Sequence, residues 1–183
     1  MIYVKLMGGM GNQMFQYALG RLLSLQFDQE IRLDLSFLKN KSQHENFVYR
    51  DYDLGIFNIE GETVESVPNG KLTILREPPH GYLIPDIVSK ARPYIKSGFD
   101  ILLDGYFQKD EYIEEIRSQL KKDFSLKKPL SPHSQSLAER IRATQSVCLN
   151  VRRADYVDNP NSSSFHGFHG TEYISAALPS FDN

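Results

Sequence analysis

The sequence predicts an α/β protein built on an open sheet, and three stretches carry that expectation. The first is a short apolar strand, Ile2–Leu6, that runs through a glycine turn into a helix over residues 12–27 and then into a second strand over residues 30–34. Strand, helix and strand in that order make a βαβ unit, which belongs to α/β sheets. The second is Ile101-Leu102-Leu103-Asp104-Gly105-Tyr106-Phe107, a buried-looking strand ending at its glycine, followed by a helix over Glu111–Lys122. The third is a restart. A connector over residues 125–132 carries Pro129 and Pro132, His133–Ala143 is helical, Ser146–Val151 begins a new strand, and Thr171–Leu178 is a helix closed by Pro179.

The first helix owes its assignment to Met14, Phe15, Ala18, Leu19, Leu22 and Leu23, which form a wide apolar face at helical spacing. In the second helix Ile113, Ile116 and Leu120 share a face. Residues 36–98 hold only short apolar pieces, at Leu54–Ile59, Lys71–Leu75 and Ile84–Lys90, among Pro, Gly and charged residues. No repeat or low-complexity tract interrupts the chain.

Composition bounds the function. The chain has 183 residues, 40% of them hydrophobic, and a formal net charge of −2. That is a soluble globular composition with enough chain for one good core. Near-neutral charge argues against nucleic acid as a partner. No apolar run reaches membrane-spanning length, and the N-terminus lacks the pattern of a secretory signal. The single cysteine, Cys148, lies in the apolar strand and reads as a buried structural thiol. These features favour the cytoplasm.

The turn Gly8-Gly9-Met10-Gly11-Asn12-Gln13 is the first candidate site. Glycines let the backbone approach a ligand and take positive φ, and a helix start offers unpaired N–H groups and partial positive charge. A phosphate or sugar phosphate fits such a device. It is no P-loop, because no Lys-Ser or Lys-Thr pair follows. Gly9 and Gly11 match part of the dinucleotide fingerprint, but Met14 stands where its third glycine belongs. Asp34, ending the second strand, keeps a nicotinamide-binding domain as a lesser rival. Asn12 is a good N-cap, so a plain capped turn is the bland alternative.

The second candidate site is Asn150-Val151-Arg152-Arg153-Ala154-Asp155-Tyr156. Ligands of open α/β sheets bind at the carboxyl ends of strands, and arginine offers bidentate donors to phosphate. Adjacent strand residues face opposite ways, so one arginine faces a ligand and a carboxylate such as Asp155 holds the other. The bland alternative is a surface Arg–Asp pair, worth about 0–1 kcal/mol. Further on, His166 and His169 flank Gly167 and Phe168. They could be metal ligands, but no third ligand completes a site. One could line an acceptor pocket. The favoured reading is a glycine-broken loop capping the last helix, with Thr171 near its N-cap.

The string GGMGNQMFQYALGR resembles the opening motif of the bacterial α-1,2-fucosyltransferases, glycosyltransferase family 11. Arg50–Ile59 resembles that family's strand and turn, Asp104-Gly105-Tyr106-Phe107-Gln108 its Gly-Tyr-aromatic-Gln segment, and Asn150–Tyr156 its H-x-R-R-x-D-Y motif. The likeness runs from residue 1 to about residue 178. It implies inverting transfer of L-fucose from GDP-L-fucose to the 2-hydroxyl of a galactose-type acceptor. It implies a GT-B-like pair of Rossmann-like domains with the site between them, and no cofactor or metal.

The implied roles fall as follows. Gly9, Gly11, Asn12, Gln13, Arg152 and Arg153 bind the nucleotide sugar. Arg152 grips its β-phosphate, with Arg153 and Asp155 as a supporting pair. Arg152 and Asp155 serve catalysis, and Asn150, Tyr156 and His169 contact substrate. Asn150 departs from the family's usual histidine; it can hydrogen-bond but cannot serve as an acid or base. Residues 1–145 then form the N-terminal, acceptor-side domain, and residues 146–183 begin the GDP-fucose domain. That second part is short for a domain, so the isolated chain is expected to have little or no transferase activity. Its strand would need to dock or dimerise. The acceptor would be a galactose-containing oligosaccharide or lipid-linked glycan, which allows peripheral association with the inner membrane face. A non-catalytic module binding sugar nucleotide or glycan is the main alternative.

Overall fold

The computed structural model describes residues 1–42, 48–81, 83–151 and 171–181. The described residues form two compact units. One takes in those between Met1 and Gln43 and between Tyr49 and Lys128, and the other Val48 and those from Pro129 onward.

The first unit is an α/β layer built on five parallel strands. In chain order it runs β1 (Ile2–Lys5), α1 (Met10–Phe27), β2 (Ile31–Asp34), α2 (Ser36–Lys39), a 3-10 turn (Leu54–Ile56), β3 (Glu62–Val64), β4 (Leu72–Arg76), α3 (Ile84–Lys96), β5 (Asp100–Asp104), α4 (Asp110–Glu115) and α5 (Arg117–Asp123). The strand order is β3-β2-β1-β5-β4. The chain leaves β1 toward β2 on one side and returns to pair β5 on the other. β1 and β5 therefore flank the switch point of the sheet, where open α/β sheets bind ligands. The α/β sheet expected from the sequence is present.

Ile2, Val4, Leu33, Ile101 and Leu103 are fully buried and, by register, share one face of the sheet. Helix α1 packs there, burying Tyr17, Ala18, Leu19, Leu22 and Leu23. Met14 and Phe15, expected on its apolar face, are only half-buried. Their places in the interior are taken by Gln13, Gln16, Gly20 and Ser24. Gly20 sets the helix–sheet distance: a Cβ there would lie 2.2 Å from Val4 Cγ2 and 3.1 Å from Ile31 Cδ1. The close-packing glycine missing at position 14 is thus supplied six residues later.

Residues 36–98 hold more structure than their pattern announces. Helix α3 buries Ile87 and Ala91, with Ile84, Val88 and Ile95 packed beside them at helical spacing. Edge strand β3 has only three residues. It is set by Gly61, whose φ of +92° suits glycine and whose Cβ would meet the Ile31 carbonyl at 2.7 Å.

Three expectations are corrected. The helix over Glu111–Lys122 is two helices, broken at Ile116, which leaves helical geometry (φ −124°, ψ 26°). β-Branched isoleucine resists the break weakly, and the break lets Tyr112 and Leu120 both reach the core. The strand over Ser146–Val151 is absent: residues 145–151 have no regular structure and are exposed. No described strand pairs with that segment, and an apolar run without a ladder partner does not hold β geometry. Cys148 is accordingly exposed rather than buried.

In the second unit α6 (Pro132–Arg142) starts at Ser131, whose hydroxyl accepts the Ser134 N–H at 3.2 Å. The last helix, α7 (Thr171–Ala177), passes into a 3-10 turn over Leu178–Phe181 that contains Pro179. No helix among the described residues is long and apolar enough to cross a membrane.

Candidate functional site

The carboxyl ends of β1, β4 and β5 gather the loop 6–9, the segment 49–53, and the loops after Arg76 and Asp104. Two buried glutamines build the first of these. Gln16 accepts the Met7 N–H at 2.9 Å and donates to the Met7 carbonyl at 3.2 Å. It holds the backbone where it leaves the sheet. Gln13 donates to the carbonyls of Gly8 (2.9 Å) and Asp51 (2.8 Å) and accepts the Asp53 N–H (3.0 Å). Both are fully buried. Buried amides without partners would cost about 1–3 kcal/mol each, so these bonds fix the loop as well as satisfy the side chains.

Helix α1 begins earlier than its sequence suggests. Gly9 is the N-cap, in extended geometry, and its carbonyl accepts the Gln13 N–H at 3.1 Å. Asn12 therefore lies in the first turn and is no cap. Its Oδ1 instead accepts from Gln108 Nε2 at 2.6 Å. Among the glycines of this turn only Gly8 has positive φ, +71°. A Cβ on Gly8 would lie 2.3 Å from Asn12 Nδ2, so glycine also makes room for that amide. Gly11 is exposed with nothing within 4 Å of a built Cβ, while Gly9 has Arg50 Cδ and Nε 4.0 Å away. The first turn carries no acidic side chain, so the positive end of the helix dipole is not offset there.

The loop after β5 is held as firmly. Glu77 accepts the Tyr106 N–H at 2.7 Å and the Phe107 N–H at 3.0 Å. Phe107 is fully buried and left-handed, with φ +52°. That geometry costs a non-glycine residue about 1–2 kcal/mol, so it needs restraint from both sides. Nearby, Asp104 pairs with Lys5 at 3.2 Å and with Arg76 at 3.3 Å, tying the ends of β5, β1 and β4. Asp34 accepts the Ser36 N–H at 2.9 Å and hydroxyl at 3.0 Å and is buried. Its two oxygens serve the turn into α2.

Of the residues singled out in the sequence, the structure groups Gly9, Gly11, Asn12 and Gln13 at this edge. Asn150 is exposed in an irregular stretch of the second unit. Arg152, Arg153, Asp155, Tyr156 and His169 lie outside the described residues. Gln16 and Gly20 lie inside the opening string without any spacing that singles them out, and Glu77 carries no pattern at all; their work is set by contacts with Met7, with Val4 and Ile31, and with Tyr106 and Phe107.

Comparison with known proteins gives the family. The family model for glycosyl transferase family 11 matches residues 1–183, and the chain belongs to that family. It is 28% identical over 186 residues to an Escherichia coli protein named alpha-1,2-colitosyltransferase, covering 94% of this chain and 61% of that protein. It is 26% identical over 209 residues to the E. coli O-antigen biosynthesis glycosyltransferase WbnK, covering 97% of this chain and 67% of that protein. The chain thus spans about two thirds or less of these relatives. No solved structure matches it.

Proposed function

We propose that the protein transfers L-fucose from GDP-L-fucose to the 2-hydroxyl of a galactose-type acceptor, with inversion and without a metal. The observation that carries this reading is the opening glycine loop. It sits at the carboxyl edge of β1, is fixed by Gln13 and Gln16, and presents the start of an 18-residue helix that has no side-chain cap. Membership of glycosyl transferase family 11 supports the reaction class.

The chemistry follows from the leaving group. Negative charge grows on the β-phosphate as the sugar bond breaks, and preorganised donors stabilise it. The N–H groups of Met10, Gly11 and Asn12 and the guanidinium of Arg152 are the proposed donors, with Arg153 and Asp155 in support. The sugar passes through an oxocarbenium-like state, and a base assists the acceptor hydroxyl. Asn150, Tyr156 and His169 contact substrate in this reading. Residues 1–145 serve the acceptor and residues 146–183 begin the donor domain. A cytoplasmic location, with peripheral association at the inner membrane face for a lipid-linked acceptor, suits the substrates.

The test is transfer of labelled fucose from GDP-L-fucose to lactose by the protein expressed from its own gene, with and without EDTA; residues 1–183 by themselves are expected to give little or no product. The expected product carries an α-1,2 linkage, and its yield is the same in both arms. No transfer to any galactoside would sink the fucosyl reading, and loss with EDTA alone would sink the metal-free mechanism. The relative named alpha-1,2-colitosyltransferase favours a second reading, with the same linkage and a colitosyl donor. A competition between the two donors decides it.

A further inference from the structure

We propose that Glu77 is a positioning residue that shapes a sugar-ring subsite from Tyr106, Gln108 and Asn12; the proposal rests on the transferase reading above. Glu77 follows the last residue of β4, and its N–H extends the ladder by donating to the Asp104 carbonyl at 3.0 Å. Its carboxylate then folds over Gly105 and takes two successive N–H groups, those of Tyr106 and Phe107. The fit demands glycine: a Cβ at position 105 would lie 2.4 Å from Glu77 Cβ and 2.9 Å from Oε2.

The clamp turns Phe107 into the core and leaves Tyr106 42% exposed. Gln108 comes out exposed as well, with its Nε2 on Asn12 Oδ1 at 2.6 Å. That side-chain bond joins loop 105–108 to the first turn of α1. The groups so gathered are two neutral amides and an aromatic ring. Neutral amides pair with hydroxyls, and an exposed ring stacks on the apolar face of a pyranose, a face that a bare phosphate lacks. The shared chemistry is a pyranose with free hydroxyls, carried either by the acceptor or by the nucleotide sugar.

The test uses Glu77→Gln, which preserves shape but replaces one acceptor oxygen with an NH2 group that cannot accept an N–H. Thermal unfolding confirms that the variant folds, and Gln108→Ala identifies the Gln108 side-chain amide signals in 15N NMR. The probes are methyl β-galactoside, GDP-L-fucose and GDP. In folded Glu77→Gln the Gln108 signals should move to the position of a solvent-exposed amide. The dissociation constant of at least one sugar-bearing probe should rise about tenfold, equivalent to about 1.4 kcal/mol, with GDP unchanged. Gly105→Ala should reproduce both effects from the other side of the clamp. Which probe weakens distinguishes acceptor from donor sugar. Unmoved Gln108 signals, unchanged sugar binding, or an equal loss for GDP would overturn the subsite. A wild-type protein that binds neither GDP-L-fucose nor the galactoside would instead overturn the transferase reading on which it rests.

Discussion

Gln13 illustrates how a residue from a ligand-binding motif is used inside this fold. Its amide is consumed by Gly8, Asp51 and Asp53, so it reaches a ligand only through the loop it fixes. Gln13→Ala leaves two partly buried carbonyls and an N–H without their Gln13 partner. It is expected to lower unfolding free energy by about 2 kcal/mol in urea titration, with activity falling further than stability alone accounts for. Arg152 carries a different expectation. A lysine there keeps the charge but loses the bidentate fork, and kcat/KM for the donor should drop about 100-fold, read in steady-state transfer assays. Tyr17 bears on pH. Burial and the neighbouring Asp123 carboxylate push its phenol well above the ordinary value of 10.0. Below pH 10 it is neutral in both folded and unfolded chains. Above that the unfolded chain releases the proton and the folded chain keeps it, so the unfolded state binds fewer protons and stability falls as pH rises. Tyr17→Phe should flatten the loss measured by denaturation above pH 10. The raised phenol of Tyr52 leaves a residual slope.

At the level of elements, α1 and α5 are tied by a buried polar network. Asp123 accepts from Tyr17 (2.8 Å), Arg21 (3.1 Å) and Gln119 (2.7 Å), and the Tyr17 hydroxyl in turn accepts the Glu60 N–H at 3.0 Å. Asp123 is 3% exposed. Removing it strands a largely buried guanidinium and a phenol, so Asp123→Ala should cost about 3 kcal/mol or more by urea denaturation. Asp123→Asn, which can still accept, should cost less. Sequence showed α1, and α5 only as the end of one longer helix, but not their join, because a carboxylate among Lys122, Phe124 and Ser125 looks like any solvated charge. The glycine at position 20 is similar. Its helix was evident from periodicity, yet only the approach of Val4 makes a side chain there intolerable.

For the whole molecule, every buried hydrophobic residue among those described lies between Ile2 and Leu120. Helix α6 buries none of its residues. The fragment 1–128 is therefore expected to fold cooperatively by itself, with a thermal midpoint within about 4 °C of the full chain, as scanning calorimetry would register. A broad, non-cooperative transition would contradict that. By its apolar pattern Ser146–Val151 reads as the start of a new strand. Val147, Leu149 and Val151 are 54%, 56% and 47% exposed, and an apolar run cannot announce whether a neighbouring strand stands beside it.

The sequence by itself determined the βαβ opening, the β5 strand and the family, and it proposed the glycine loop as a site. Those signals are local: alternating or helical spacing of apolar residues, and glycines packed into a short turn. Only the tertiary structure decided that Gly9 rather than Asn12 starts α1, that Asn12 faces Gln108, and that Glu77 grips the loop after β5. Each of those outcomes rests on a partner between 29 and 96 residues away, or on backbone geometry that such partners impose. Hydrogen bonds across that distance leave no period in the chain, so they appear only once the sheet has brought its carboxyl ends together.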